Sequence, residues 1–319
     1  VNALGIALAG VLALAAPGLA AAVSDRRTSP RVAAAVHLWA LIGMAVAPVA
    51  LLFCLADPGS MLRGTCHGVL EHHGHILAWA ALAVAGSILA WLVLAGARTL
   101  RATRAADPRR LGAGQPTSTE GGVPLYVLPV ERPVAFAVGL RRARVVVSQG
   151  LMDLLSEEEC RAALAHEVAH VRGGHPALLF LGRVMAQAFG ALPPVRRAFA
   201  SLRRELEASA DDHAVRAVGD PEVVASAIAK VGMAGAAPAP STALADEADL
   251  AYRVGRLLGR YPESRTRAAI ALALAGLLAI AVVGSQCGAL HPGALWTGIV
   301  GCTALLAWIG LRPLLPVRG

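Results

Sequence analysis

The sequence predicts a mainly α-helical, multi-span membrane protein: about five transmembrane helices plus one cytoplasmic domain holding a small β-sheet or hairpin. Three observations carry that prediction. The 319 residues are 56% hydrophobic and only 16% charged, with a mean hydropathy of +0.59, which is too apolar for an ordinary soluble domain. Five stretches, at roughly 3–23, 32–56, 75–96, 268–285 and 292–311, hold no charged residue and are long enough to cross a bilayer. Between the third and fourth lies one long segment polar enough to fold in water. The expected organisation is a three-helix membrane region over 1–98, a linker over 99–122, a cytoplasmic domain over 123–266 and a two-helix membrane region over 267–319 with a short basic tail.

Arginine placement orients these elements, because basic loops stay in the cytoplasm. The first stretch has no basic residue before it, so it reads as a retained helix with its N-terminus outside rather than as a cleaved leader. Arg26, Arg27 and Arg31 hold the next loop inside, and the loop over 57–74, with Arg63 set against Asp57 and Glu71, lies outside. Arg98, Arg101, Arg104, Arg109 and Arg110 then mark re-entry into the cytoplasm. Arg265 and Arg267 precede the fourth span on the same side, and Arg312 and Arg318 return the tail to it. The expected location is the cell membrane, multi-pass.

A net charge of +8 could suggest nucleic acid, but the cations are almost all arginine, with Lys230 the single lysine, and many flank the spans. Anionic headgroups of the bilayer explain them more economically, and no direct nucleic-acid binding is expected. The five cysteines make no framework. Cys66 and Cys287 fall in two outer loops, where they either pair or stay free. His67, His72, His73 and His75 cluster in the outer loop, read as a polar interfacial loop or a metal-sensing one.

Within the cytoplasmic segment, Gly112, Gly114, Pro116 and Gly121-Gly122 mark the linker. Leu125–Val130 and Pro133–Val138 are short β-like runs, followed by the β-branched run Arg144–Ser148. Ser156-Glu157-Glu158-Glu159 is a capping-box start, after which Leu164, Val168 and Val171 recur at helical spacing. That helix is expected over 157–172, stopping at Gly173-Gly174. The apolar run Leu178–Leu192, interrupted by Arg183, reads as a re-entrant or interfacial helix, or as a plain domain helix. A charged helix is expected over 201–214, a linker over 232–243 and an amphipathic helix over 247–261, where Val254, Leu257 and Leu258 oppose Arg253, Arg256 and Arg260.

The chemistry is spelled by His166-Glu167-Val168-Ala169-His170, an H-E-x-x-H. Residues four apart on a helix share a face, so both imidazoles can reach one Zn²⁺ ion, with Glu167 beside it as general base rather than ligand. The pentapeptide alone is a weak filter, arising by chance in roughly one such chain in a hundred. A third ligand is needed. His175 follows one residue too early for the H-E-x-x-H-x-x-G-x-x-H pattern and is set aside. Glu207 and Asp211 lie four apart on the charged helix, so Glu207 can ligate while Asp211 takes a hydrogen bond from the outer nitrogen of a ligating histidine. Glu205 and Asp212 are rivals on neighbouring faces, and a solvated charged helix is the bland alternative.

The combination of H-E-x-x-H with Glu207-x-x-Ala210-Asp211-x-x-Ala214 about 40 residues later, in a multi-span chain, resembles the BlaR/MecR-type antirepressor metallopeptidases. More distantly it resembles the HtpX and CAAX-protease group of zincins. The resemblance covers roughly 123–260. It implies a zincin-like domain that binds one Zn²⁺ per chain and cleaves a protein substrate, with the zinc glutamate on Glu207 and the following aspartate on Asp211. It also implies His175-Pro176 as a pair that does not ligate, and a BlaI-type winged-helix repressor as the substrate of a signalling branch. Quality control of membrane proteins, or non-proteolytic signal transduction with a structural zinc, are the competing functions.

Two further roles complete the reading. An edge strand beside the zinc helix can hold a peptide as an added strand. Pro133, Val134, Ala135, Phe136, Ala137, Val138 and Gly139 are the candidate edge, with ordinary packing as the alternative. His213 and Arg204 are the candidate donors to a developing oxyanion, set against structural roles on the same helix.

Overall fold

A computed structural model describes residues 30–31, 33–38, 40–43, 74–105, 116–140, 143–234 and 247–260. The expected spans near 3–23, 268–285 and 292–311, most of the one over 32–56, the outer loops with Cys66, Cys287, His67, His72 and His73, and residues 235–243 of the expected linker over 232–243 lie outside the described residues; the linker's first residues are instead the end of the helix Pro221–Met233.

Helix α1, Gly74–Ala105, is rich in Ala, Leu and Val. Its portion Leu82–Ala105, of mean hydropathy 1.6, is long and apolar enough to cross a membrane, the one such helix among the described residues. Trp79, Val84, Leu89 and Val93 project from it uncovered. The sequence reading ends this span at 96 and begins a linker at 99, but the helix runs on to Ala105. Nothing from Ala97 to Ala105 breaks a helix; the first proline comes at Pro108.

Four strands follow: β1 Ser118–Glu120, β2 Val123–Leu128, β3 Ala135–Val138 and β4 Arg144–Ser148, in the order β1-β2-β4-β3. β2 and β4 run parallel, whereas β1 pairs antiparallel with β2 and β3 with β4. The expected small sheet or hairpin is therefore a mixed four-stranded sheet. Its first strand was read as linker, yet Gly121 and Gly122 both have positive φ, 52° and 77°, the two-residue turn that suits a tight hairpin. Alternation sets the faces. Leu125, Val145 and Val147 pack with Leu151 and Val168, while Tyr126, Phe136, Val138 and Val146 form the opposite layer.

Ser148 ends the sheet and starts the helices. Its hydroxyl accepts from Leu151 N at 3.1 Å, capping helix α2 (Gln149–Leu154), and from Val134 N at 2.9 Å. Gly150 is obligatory there, since a Cβ would lie 1.7 Å from the Glu131 carbonyl oxygen. Helix α3, Glu157–Arg172, opens with the expected capping box between Ser156 and Glu159. Gly173 closes it, and Gly174, at φ 66°, reverses the chain into α4, His175–Phe189.

Helix α4 is the apolar run around Leu178. It packs as a helix against α1 and against α5, Pro193–Val218. One apolar cluster joins Leu38 and Leu41 of the helical stretch Ala33–Gly43, Ala95 of α1, Leu178 and Leu179 of α4, and Leu202 and Leu206 of α5. Trp91 Nε1 donates to the Ala188 carbonyl at 3.0 Å, and the Thr99 hydroxyl meets Gln187 Oε1 at 2.9 Å. Helices α6, Pro221–Met233, and α7, Glu247–Leu257, then close over α3 and α5. The charged helix expected over 201–214 is the middle of the longer α5.

Candidate metal centre

Helices α3 and α5 lie face to face, the most extensive helix pairing in the fold. Each brings two residues one turn apart: His166 and His170 on α3, Glu207 and Asp211 on α5. Their donor atoms converge, with one from each of His166, His170 and Glu207 lying within 4.8 Å of one another. The two Nε2 atoms are 3.0 Å apart. His166 Nε2 is 3.3 Å from Glu207 Oε2, and His170 Nε2 is 3.5 Å from Glu207 Oε1. Donors about 2.0–2.1 Å from one ion at tetrahedral angles stand about 3.3 Å apart, so two imidazoles and one carboxylate at these separations fit zinc.

The outer nitrogens are held as well. His166 Nδ1 is 2.9 Å from Asp211 Oδ1, and His170 Nδ1 is 2.9 Å from His175 Nδ1. Both ligand rings are thereby oriented from behind, which sets the nitrogen each presents. His175, excluded as a ligand from its spacing, is buried and occupies this supporting place. Since two imidazoles cannot both donate across one contact, His170 Nδ1–H donating to a neutral His175 leaves His170 Nε2 free for a metal. Burial, together with the positive field of its neighbours, keeps His175 well below the usual histidine range, hence neutral.

A third layer lies behind the carboxylates, and the sequence reading missed it. Arg253 of α7 donates from Nε and Nη2 to the two oxygens of Asp211, at 2.8 and 2.6 Å. Its Nη1 stands 3.2 Å from Glu207 Oε2. One helical turn further on, Arg256 pairs with Asp212 and donates to the Ala208 carbonyl at 2.7 Å. The arginine face of the expected amphipathic helix turns inward, onto the acids of α5. A signal was present: Arg253 and Arg256 are spaced to meet the adjacent acids Asp211 and Asp212 across one interface.

The electrostatics of the cluster favour positive charge between the helices. Burial pulls His166 down, but Asp211 and Glu207 outweigh it and push it up to about 10. Burial likewise works to raise Glu207, yet His170, Arg253 and His166 hold it well below the usual carboxylate range. The carboxylates of Asp211 and Glu207 that raise His166 are the negative charge a divalent cation would meet there. Glu167, beside both ligands on α3, is pushed up by its burial, against the pull of His170 and His166.

A groove opens on this cluster. Glu167 and His170 line it together with Ala137, Val138 and Gly139 of the β3 end, Thr103 of α1, and Pro176, Leu179, Phe180 and Arg183 of α4. Of the candidate edge residues, Ala135, Phe136, Ala137 and Val138 form β3, the last strand of the sheet, with Pro133 and Val134 leading in and Gly139 leading out. Among the described residues no strand pairs with the outer edge of β3.

Among the described residues neither candidate oxyanion donor makes a hydrogen bond or ion pair with the three ligands. Arg204 lies against Glu205 at 3.7 Å, Asp249 at 3.8 Å and the Tyr252 ring at 5.6 Å. His213, six residues beyond Glu207, stands about 120° away around α5, and burial and nearby arginines lower its pKa. The rivals of Glu207 are accounted for too: Glu205 contacts Arg204, and Asp212 contacts Arg256.

Comparison with known proteins agrees with this geometry. Residues 119–275 match the model of peptidase family M48. The chain is 41% identical over 70 residues to a protease HtpX homolog of Sulfurovum sp. (strain NBC37-1), covering 21% of this chain and 24% of the relative. It is 36% identical over 70 residues to a protease HtpX homolog of Aquifex aeolicus (strain VF5), covering 21% and 23%. A protease HtpX homolog of Campylobacter hominis is 44% identical over 70 residues, covering 21% and 24%. The matched part thus spans about a quarter of the length of these curated relatives. No solved structure matches the chain. With two histidines and a glutamate placed to hold one metal ion inside the matched residues, the segment 119–275 is similar to peptidase family M48, a family of zinc metallopeptidases.

Proposed function

We propose that this protein is a membrane zinc metalloendopeptidase that cuts protein substrates at the cytoplasmic face. The observation that carries the reading is the groove in which the metal ligand His170, the buried carboxyl of Glu167 and the free edge of β3 meet. His166, His170 and Glu207 would hold the zinc. Zinc bound there supplies Lewis acidity toward a scissile carbonyl. The chain's own residues do the rest. A peptide laid along β3 is fixed by backbone hydrogen bonds, which present its carbonyls to the cluster in register. Glu167 takes a proton from the attacking water and returns it to the leaving amine; burial raises its carboxyl, which suits a group that must do both near neutral pH. Asp211 and His175 hold the two imidazoles still while this happens.

The cytoplasmic placement is supported by Arg98, Arg101 and Arg104 at the end of α1, on the side where the groove opens beside Thr103. Likeness to proteins named as HtpX-homolog proteases favours protein substrates. A signalling reading, with a BlaI-type repressor as substrate, is the alternative that the same experiment separates. The test is Glu167→Gln, which should stop cleavage while one zinc per chain remains bound. Comparing membrane and soluble proteomes of cells carrying wild type or Glu167→Gln then separates the substrates. Many stabilised membrane proteins support quality control, and one stabilised repressor supports signalling. A Glu167→Gln protein that still cuts, or two indistinguishable proteomes, would sink the protease reading.

A further inference from the structure

Helix α4 presents Pro176, Leu179, Phe180 and Arg183 to the groove, a spacing of three, four and seven residues that places all four on one face. The first three are apolar. Arg183 is not, and it sits half-buried in an apolar helix at the wall of a space of about 480 Å³, counting its open mouth. Among the described residues no carboxylate pairs with it, and the charge that acts on it most is the like charge of Arg203. Three other arginines near the centre are matched: Arg253 to Asp211 and Glu207, Arg256 to Asp212, and Arg204 to Glu205 and Asp249. A guanidinium taken partly out of water without an anion is held at a cost that an incoming anion relieves.

We propose that Arg183 is a specificity-determining residue, forming with Thr103, Leu179 and Phe180 a subsite for a substrate carboxylate close to the scissile bond. The inference rests on the metallopeptidase reading of the groove. Position argues for substrate as the source of the carboxylate, because Arg183 shares the groove with Glu167, His170 and the β3 edge. Its Cα lies about 10 Å along α4 from Pro176, and helical side chains lean toward the N-terminus, here the metal end. An extended peptide advances about 3.3 Å per residue, so the acid falls within about three residues of the cut bond. Leu179 and Phe180 suit the methylenes of such a side chain, and the guanidinium fork suits its carboxylate bidentately.

The experiment uses the full chain, zinc-loaded, in nanodiscs, with quenched peptides scanned at each position around the cleavage site. Each position is filled with Glu, Gln or Lys, and a parallel set ends in a free or amidated C-terminus. Wild type should prefer Glu over Gln at one position by about tenfold in kcat/KM, the scale of one charge-assisted contact. Arg183→Gln should bring that ratio to about one, Arg183→Glu should turn it toward Lys, and Arg183→Lys should retain part of it. A preference for the free C-terminus in place of the internal acid would assign the same pocket to the chain end. Binding of the acidic peptide and its amide twin to the Glu167→Gln protein gives a second readout. If nothing is cut but the acid still binds more tightly through Arg183, the peptidase reading fails and the carboxylate site stands. No acid preference in wild type, a preference that survives Arg183→Gln, or an effect of Arg183 confined to binding of vesicles rich in anionic lipid would each overturn the proposal.

Discussion

Arg253 grips Asp211 with the Nε–Nη2 edge of its guanidinium, at 2.8 and 2.6 Å, around a carboxylate that has no exposed surface at all. The contact links α7 to the back of the His166 ring, two steps from the metal position. Its shape matters as much as its charge, because a lysine cannot meet both oxygens in one plane.

Replacing Arg253 by Met leaves Asp211 buried without its cation. Breaking such a pair from one side costs about 3–5 kcal/mol. Urea unfolding of the detergent-solubilised protein should show that loss, with Arg253→Lys recovering less than half of it. A variant as stable as wild type would show that the fork is dispensable.

His175 supports His170 from behind through the 2.9 Å nitrogen contact. His175→Phe keeps the ring volume and removes the contact, so zinc affinity should fall about 10–100-fold in competition with a chromophoric chelator. Gly173→Ala should act in the same direction. Its new Cβ would lie 2.5 Å from His175 Nε2 and push the imidazole out of place.

Glu205 gives the opposite kind of information. Burial raises its carboxyl to about 7 despite Arg204 and Arg256 nearby. Between its ordinary value near 4.5 and about 7 the folded chain keeps a proton that the unfolded chain has lost, so stability falls as pH rises through that window. Glu205→Gln should therefore be near neutral at pH about 4 and stabilising at pH about 8, on the order of 3 kcal/mol. Chemical denaturation at the two pH values checks it, and an equal effect at both would refute it.

Glu159 runs the other way. Burial opposes its charge, but Lys230 at 2.7 Å, Ser226 at 2.7 Å and the Ser156 backbone hold it down at about 2. Its contribution is complete above the unfolded value of about 4.5 and fades as pH falls toward 2. Glu159→Gln should cost about 1–3 kcal/mol at neutral pH and less than half as much at pH 3, as read from the midpoint of thermal unfolding at the two pH values.

Local chemistry was legible where it is written in consecutive residues. The capping box fixed the start of α3, the two glycines fixed its end, and helical spacing put His166 with His170 and Glu207 with Asp211. Strand order could not be read that way. That β4 lies between β2 and β3 is decided by which apolar faces meet α3, a long-range choice no short window contains. Arg253 was hidden for a related reason. An arginine on an amphipathic helix looks solvated until the acids it faces are placed, and those lie about 40 residues upstream in another helix. The hairpin of β1 was missed because Gly121-Gly122 was counted as linker composition and not as a turn with two positive φ angles.

The extension of α1 to Ala105 has a consequence of scale. Thr103 is at once near the end of the one described helix fit to cross a membrane and a wall of the groove beside Glu167. Helix α4, whose face forms the opposite wall, is fastened to the same helix through Trp91 and Thr99. A blade mounted directly on its own post cannot be raised or lowered. With α1 in a bilayer, the height of the groove above the lipid is set by the helix that walls it, and a chain entering the groove is met at that height, whatever its sequence farther away.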